Sequence, residues 1–318
     1  MSASCRGALA DATPALEDLL RASHAVRAGP PRGMGAFELT TSEGARTAGA
    51  FGYAGKLFAL RIRALLEEGH AAKALDVCLD GLAVARDVSS GTGLAGRRLG
   101  VELSELLFPA CVSALDASPV AAKQAAVVTL SHLLEGTPRF ADILRDWTTA
   151  RMLEGFGPFL GKGLAKLSPE LRKLAAAGPP PRTLSAKEVF LLKDFWHRTQ
   201  ARMDTLVAGA ELPAPQRFER LEHAEKGDVG RFSPRLRTDF PDLLRIARVD
   251  ERAREELRLL IAAAQVDAFR AEQGRWPELR ELPATAAPLR LHEDAGTLEV
   301  ENPNAARGPL KLSLTADP

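Results

Sequence analysis

The chain has 318 residues, and 46% of them are hydrophobic, which is enough for a substantial core and excludes disorder of the whole chain. Its 42 basic and 41 acidic residues leave a net charge of +1, so no overall field draws it to nucleic acid, a membrane surface or an acidic substrate.

The first 30 residues contain no uninterrupted apolar stretch typical of a signal peptide, and no later window holds 18 consecutive apolar residues. We therefore predict no transmembrane segment. As written, the sequence indicates a cytoplasmic protein. If an N-terminal leader or anchor has been removed, the cell envelope is expected instead.

The three cysteines, Cys5, Cys78 and Cys111, are far apart and odd in number. This disfavours a disulfide framework, and no CxxC pair offers a metal site. We expect structural or incidental thiols.

Helical periodicity dominates from about residue 13 to 273. Thr13-Pro14 provides a predicted N-cap and first helical position. Residues 56–68 and 71–88 predict a helical hairpin around Gly69, similar in spacing to a tetratricopeptide unit. No second copy follows at the required period, so irregular packing of helix on helix is expected.

Later helices are indicated by their first residues: Ser118-Pro119, Thr137-Pro138 and Ser168-Pro169 each predict a start, and Ser185 with Glu188 has the spacing of a capping box. Residues 209–241 are polar and interrupted by prolines. They predict a surface excursion with at most a short helix.

Residues 242–273 give the longest helical pattern, and Gly274 is its predicted stop. Beyond it the apolar period changes to two at residues 289–291, 298–300 and 310–314, which predicts three short strands. The predicted fold is mainly α: an irregular multi-helix array over residues 1–240, then a long helix and a small three-stranded antiparallel C-terminal sheet over residues 241–318.

Two glycine-rich segments have the letters of phosphate-binding loops. Residues 91–96 (GTGLAG) lack the strand that a dinucleotide fingerprint requires, and we predict a flexible loop between helices. Residues 155–163 (GFGPFLGKG) have the wrong glycine spacing for a P-loop. We predict a buried, kinked connection, with Phe156 and Phe159 as candidate contacts to a ligand or partner.

No constellation of residues predicts catalysis. The six histidines are scattered, and neither HExxH nor GxSxG occurs, so no catalytic, cofactor-binding or metal-ligating residue is assigned. Arginines and phenylalanines cluster between residues 217 and 248, but acidic residues are as frequent there. We expect a mixed-charge surface and no nucleic-acid partner.

The stretch AFRAEQGRWPEL, residues 268–279, predicts a junction where the long helix ends. Gly274 can adopt the left-handed conformation, and Pro277 prevents the helix from resuming. We expect Trp276 to fold back onto the apolar face near Phe269 and Leu282. The ring would then tie the long helix to the sheet.

This junction resembles the helix-to-sheet junction of the major pseudopilins of type II secretion. It is also similar to the C-terminal segment of a set of uncharacterised, mainly helical bacterial proteins. The likeness covers roughly residues 257–301. Pseudopilins begin with a processed hydrophobic helix, and we expect none in this chain. The calcium ligands of some pseudopilin sheets are not carried over to Glu293, Asp294, Glu299 or Asn302. The resemblance therefore implies a way of ending a helix on a sheet.

Our first functional expectation is a non-enzymatic interaction or scaffold protein with an unidentified protein partner, connected to a bacterial envelope or secretion-related assembly. The alternative is a helical binding module for a small apolar ligand or peptide, with a pocket near Phe156 and Phe159. An enzyme of unrecognised type is the third hypothesis.

Overall fold

The computed structural model describes residues 2–24, 42–90, 93–156, 185–226, 242–282, 290–294, 297–302 and 310–315. The described helices, in chain order, are α1 (Ala3–Ser23), α2 (Ser42–Glu67), α3 (Ala71–Ser89), α4 (Gly93–Ala117), α5 (Val120–Gly136), α6 (Phe140–Phe156), α7 (Ala186–Ala210), α8 (Ala214–Lys226) and α9 (Leu243–Gln273). A 3-10 turn (Leu279–Glu281) and the strands β1 (Arg290–Asp294), β2 (Thr297–Asn302) and β3 (Leu310–Thr315) follow. The predicted fold class is confirmed.

The chain divides into two compact units. One comprises Met1–Pro138 with Arg248–Pro318, and the other comprises Arg139–Ala247. The predicted division at residue 240 separates the long helix and the sheet from the first helices, whereas the compact units join them. Buried side chains of α9 and of the sheet share one hydrophobic core with those of the first helices, in agreement with this grouping.

In the first unit, α1, α2, α3 and α4 pack on one another, and α3 also packs on α5. Phe58, Ile62, Leu107, Leu115 and Leu130 are fully buried. Gly100 lets α4 approach α3 closely, because a Cβ there would clash with the Ser89 hydroxyl and the Ala85 carbonyl.

A disulfide joins Cys78 of α3 to Cys111 of α4, with a Cα–Cα distance of 5.4 Å. The expectation of unpaired thiols is therefore wrong for these two cysteines, and Cys5 alone is free. The spacing of the cysteines did not indicate this disulfide, because 33 residues separate the two and only the packing of α3 on α4 brings them together. Both are buried.

Three predicted boundaries differ from the structure. The first helix begins after Ser2, whose hydroxyl accepts a hydrogen bond from the Cys5 amide (3.3 Å), so Pro14 lies inside α1. Thr13 donates its hydroxyl to the Leu9 carbonyl (2.8 Å) instead of capping a helix. Helix α2 begins at Ser42 instead of residue 56, and α4 already includes residues 93–96 of the predicted loop.

In the second unit, α6 packs on α7, and α7 packs on α8. Buried side chains include Phe140, Leu144, Met203, Leu206 and Leu221. The 13-residue helix α8 occupies the middle of the predicted surface excursion. The predicted helix start at Ser168-Pro169 lies outside the described residues.

The long helix α9 leads into an antiparallel sheet with strand order β1-β2-β3, as predicted. Leu298 lies opposite Leu314 and Val300 opposite Leu312, and all four side chains are buried in the core of the first unit. Their alternation with Glu299 and Glu301 is the period of two seen in the sequence.

Candidate functional site

The end of α9 has the predicted backbone. The helix ends at Gln273, and Gly274 has φ of 68°, in the left-handed region that glycine adopts at low cost. Pro277 and Leu282 are buried. Trp276 is half-buried and packs against the core of the first unit.

Cations cover both aromatic rings of the junction. The Arg270 guanidinium lies 4.5 Å from the centroid of the Trp276 ring, and the Arg275 guanidinium lies 5.1 Å from that of Phe269. Each contact is a cation–π interaction. Sequence reasoning placed Trp276 on an apolar surface and did not foresee its arginine partner, because the aromatic and the cation meet only once the chain has turned at Gly274.

An exposed ion pair completes the junction. Arg275 donates to both carboxylate oxygens of Glu281, at 2.8 and 2.5 Å, and the Glu278 amide donates to the same carboxylate at 2.7 Å. These bonds, the one from Arg275 foremost, lower the pKa of Glu281 to about 2. Glu278 and Glu281 form a reciprocal capping box on the 3-10 turn.

The second predicted contact region cannot be assembled into a site. Phe156 is the last residue of α6, and Phe159 lies outside the described residues, as does the rest of residues 157–163. The apolar pocket expected there stays a prediction.

Buried charges connect the middle of α9 to α4. The Arg97 guanidinium of α4 pairs with the Asp250 carboxylate of α9, and both side chains are nearly inaccessible to solvent. Arg254, one turn further along, also contacts Asp250 (3.3 Å), and it donates to the Thr137 and Pro138 carbonyls at 3.2 and 2.5 Å. The three side chains and two carbonyls form one buried polar network between α4, α9 and the end of α5.

A second buried pair joins α9 to α5. The Lys123 ammonium lies 2.5 Å from an Asp267 carboxylate oxygen and 3.0 Å from the Asp116 carbonyl. Burial raises the pKa of Asp267, although Lys123 opposes that shift. Neither this pair nor Arg97–Asp250 could be read from the sequence, because the partners are 144 and 153 residues apart.

Glu256 of α9 is the most strongly perturbed of these acids. Burial raises its pKa to about 7, against the opposing influence of Arg252, whose guanidinium lies 3.1 Å away; Glu105 and Glu255 raise it further. One of its oxygens is buried without a hydrogen-bond partner among the described residues. Below pH 7 the carboxyl group of Glu256 is therefore mainly protonated and uncharged.

A small polar cavity adjoins the Arg97 network. Its polar lining comprises Arg86, Ser89, Arg97, Ser104, Thr137 and Arg254, and apolar side chains of α3, α4, α5 and α9 complete the wall. It offers about 20 Å³, room for one particle of the size of water. Small organic ligands require about 300 Å³ or more, so this cavity is not a substrate pocket.

Over residues 120–131, the outward face of α5 is almost without charge. Beyond them, the exposed side chains of His132 and Glu135 lie 3.9 Å apart, and the exposed Gln124 amide donates to Glu272 of α9 at 3.0 Å. Ala121, Gln124, Ala125, Val128 and Thr129 are exposed, and the Val128 side chain is 58% accessible. Lys123 carries the only formal charge between residues 120 and 131, and it is buried against Asp267. An apolar stripe on a helix normally faces other protein surface. This signal was present in the sequence, in the run VAAKQAAVVTLSHLL.

The described residues contain no group of three or more histidine, cysteine, aspartate or glutamate side chains able to hold a metal ion. Among the helices within those ranges, none is both long and apolar enough to cross a membrane.

Comparison with known proteins gives no relative. No protein-family model, no curated protein and no solved structure matches the chain. The likeness to the pseudopilin junction therefore rests on the residues of that segment alone.

Proposed function

We propose that this chain is a non-enzymatic interaction protein that binds a protein partner through the outward face of α5. The exposed stripe of Ala121, Ala125 and Val128 carries the proposal, because a surface without charge is what the centre of a protein–protein interface requires. By contrast, the exposed face of α4 carries the ion pair between Arg98 and Glu102, at 2.7 Å. A charged face of that kind is typical of a solvated helix. The last turns of α5 carry the exposed His132 and Glu135, 3.9 Å apart, so the proposed interface is limited to residues 121–129.

The disulfide supports a location in an oxidising compartment, since cytosolic thiols are kept reduced. We propose the bacterial envelope or a secretion-related assembly, in keeping with the pseudopilin-like junction at residues 268–282. The polar cavity is too small to favour binding of an organic ligand, so it gives no support to the alternative of a small-ligand module.

Site-specific photo-cross-linking in the native organism tests the interface. A photoreactive amino acid at position 128 is expected to give a discrete protein adduct, and the same group at the exposed position 102 of α4 is the matched control. An adduct with the mass of two chains would identify a second copy as the partner. Equal yields at both positions, or none at 128, would refute the proposal.

Thiol labelling tests the compartment separately. Protein isolated from the native organism without reductant is unfolded and alkylated, and Cys5 alone is expected to react. Cys78 and Cys111 should react only after reduction. Alkylation of all three without reductant would remove the support for an oxidising compartment and leave the α5 interface untouched.

A further inference from the structure

The polar cavity between α3, α4, α5 and α9 has an excess of positive charge. Three guanidinium groups line it, those of Arg86, Arg97 and Arg254. Two carboxylates pair with them: Asp87 contacts Arg86 at 2.7 Å, and Asp250 is shared by the other two arginines. A further carboxylate that acts on Arg97, that of Glu251, is paired with Arg258 at 3.1 Å. Among the described residues, the three lining arginines therefore have two paired carboxylates between them, in a site largely removed from water.

The deepest arginine also has a spare donor. Arg97 is 3% exposed and donates through Nε to Asp250. Its Nη2 atom lies close to the same carboxylate, but its N–H groups do not meet hydrogen-bond geometry with any acceptor among the described residues. An unmet buried donor of a charged group is costly, so an acceptor at this position would stabilise the fold.

The hydroxyl groups of the lining do not fill that role. Ser89, Ser104 and Thr137 each donate to a backbone carbonyl one turn earlier in their own helix, at 2.9, 3.1 and 2.7 Å. Donation into the cavity therefore falls to the arginines. Burial, followed by repulsion from Arg254, lowers the pKa of Arg97 despite the nearby Asp250. Burial is the main cause of this shift, and Glu251 opposes it as Asp250 does.

We propose that this cavity binds one small monovalent anion of the size of chloride, held by the Nη2 group of Arg97 and by the positive charges of Arg254 and Arg86. The volume of about 20 Å³ fits a single particle of this size and excludes phosphate esters and nucleotides. Because the cavity walls come from α3, α4, α5 and α9, the bound anion stabilises the contact between the long helix and the first helices.

Thermal unfolding of the full chain tests the site. The midpoint is measured in sodium chloride and in sodium gluconate at the same ionic strength, since gluconate is too large for the cavity. A ligand that binds only the folded state raises the midpoint with its concentration. We expect chloride and bromide to raise it and gluconate to leave it unchanged. A midpoint independent of the anion would overturn the proposal.

Two variants with matched charge separate binding from general screening. Arg86, 29% exposed at the rim, is replaced in Arg86→Gln; Arg98→Gln removes an arginine from the exposed side of α4. We expect Arg86→Gln to weaken the chloride response roughly tenfold or more, and Arg98→Gln to leave it as in the wild type. An equal change in both variants would contradict a site.

Occupancy is read directly from crystals grown in sodium bromide. An anomalous peak within contact distance of Arg97 Nη2 is expected, and Ser104→Val, which fills the cavity without touching its ion pairs, should abolish it. Density for an ordered water alone, with no anomalous signal, would overturn the proposal.

Discussion

Within the first unit, charged groups of the long helix α9 and of the junction after it lie in two chemically different environments. Along its middle, Asp250, Glu256 and Asp267 are buried carboxyl groups that meet cations in a water-poor interior. Just beyond its C-terminal end, Arg275 and Glu281 form a solvent-exposed ion pair, and Arg270 and Arg275 lie over the partly exposed rings of Trp276 and Phe269. Pairs of acidic and basic side chains are therefore buried in one part of this segment and exposed to solvent in the other.

The difference teaches how solvent decides the sign of a pKa shift. Burial raises the pKa of Glu256 to about 7 even though Arg252 is close, whereas hydrogen bonds from Arg275 and the Glu278 amide lower that of Glu281 to about 2. Desolvation outweighs pairing inside the unit, and pairing outweighs desolvation at its surface.

The largest expected effect is at the buried pair. Asp250→Asn leaves the charge of Arg97 uncompensated, and we expect it to reduce the free energy of unfolding by about 3 to 5 kcal/mol. Denaturant unfolding of the variant checks this value. Glu102→Gln, which breaks the exposed pair with Arg98, is the control and should cost less than about 1 kcal/mol. The double variant Arg97→Met/Asp250→Leu should recover most of the loss; similar costs for the two single variants would remove the contrast.

The next largest expected effect is the pH dependence of the free energy of unfolding that arises from Glu256. Its pKa in the folded state lies above the value of 4.5 for the unfolded chain, so between pH 4.5 and 7 the folded protein retains a proton that the unfolded chain has lost. The free energy of unfolding should therefore fall as pH rises through this window, by at most about 3 kcal/mol from this group.

The measurement for Glu256 is the difference between the wild type and Glu256→Gln, followed by denaturant unfolding from pH 4.5 to 8. A difference is needed because burial also raises the pKa values of Asp267 and Asp80, which give slopes of the same sign. Parallel curves for the two proteins would show that Glu256 ionises normally.

A smaller effect is expected at the junction ring. Replacement of a fully buried tryptophan by alanine costs about 3 to 5 kcal/mol. Because the ring is half-buried, we now expect about 2 kcal/mol, including the lost contact with Arg270. Leu279→Ala, at a neighbouring side chain that is 52% exposed, is the matched control and should change little. Equal losses would indicate that the ring does not anchor the junction.

The smallest effect is expected for Glu281→Gln. The folded pKa of Glu281 is depressed, so its contribution is present above pH 4.5 and is lost as pH falls towards 2, the reverse of Glu256. We expect a slight loss of stability at pH 7 that disappears at pH 2 or in high salt, because the pair is solvent-exposed. A loss that persists in 1 M salt would mean that the pair is less exposed than its contacts indicate.

Local signals in the sequence predicted the elements well where the chemistry is local. The start of α5 after Ser118-Pro119, the stop at Gly274 and the three amphipathic strands follow from the fixed φ of proline, left-handed glycine and apolar alternation. The predicted cap by Ser118 is wrong, because its hydroxyl donates to the Ala114 carbonyl at 2.6 Å. Errors arose where local signals compete: Thr13-Pro14 has the form of a helix start, yet Ser2 provides an earlier cap and the proline is accommodated inside α1.

The candidate sites also divide into those that depend on neighbouring residues and those that depend on distant ones. The uncharged face of α5 and the composition of the junction are present in consecutive residues. The disulfide, the Arg97–Asp250 and Lys123–Asp267 pairs and the arginine-lined cavity are not. The disulfide and the two pairs join residues 33, 153 and 144 positions apart, and the lining of the cavity extends from Leu82 to Leu257.

The sequence by itself determined a mainly helical chain that ends its longest helix at Gly274 and continues as a small antiparallel sheet. Hydrogen bonds between near neighbours and the period of apolar residues are sufficient for that. Only the tertiary structure decided which charges are buried, which cysteines are oxidised and where a cationic cavity forms. Those properties depend on desolvation, and desolvation depends on which distant segments pack together.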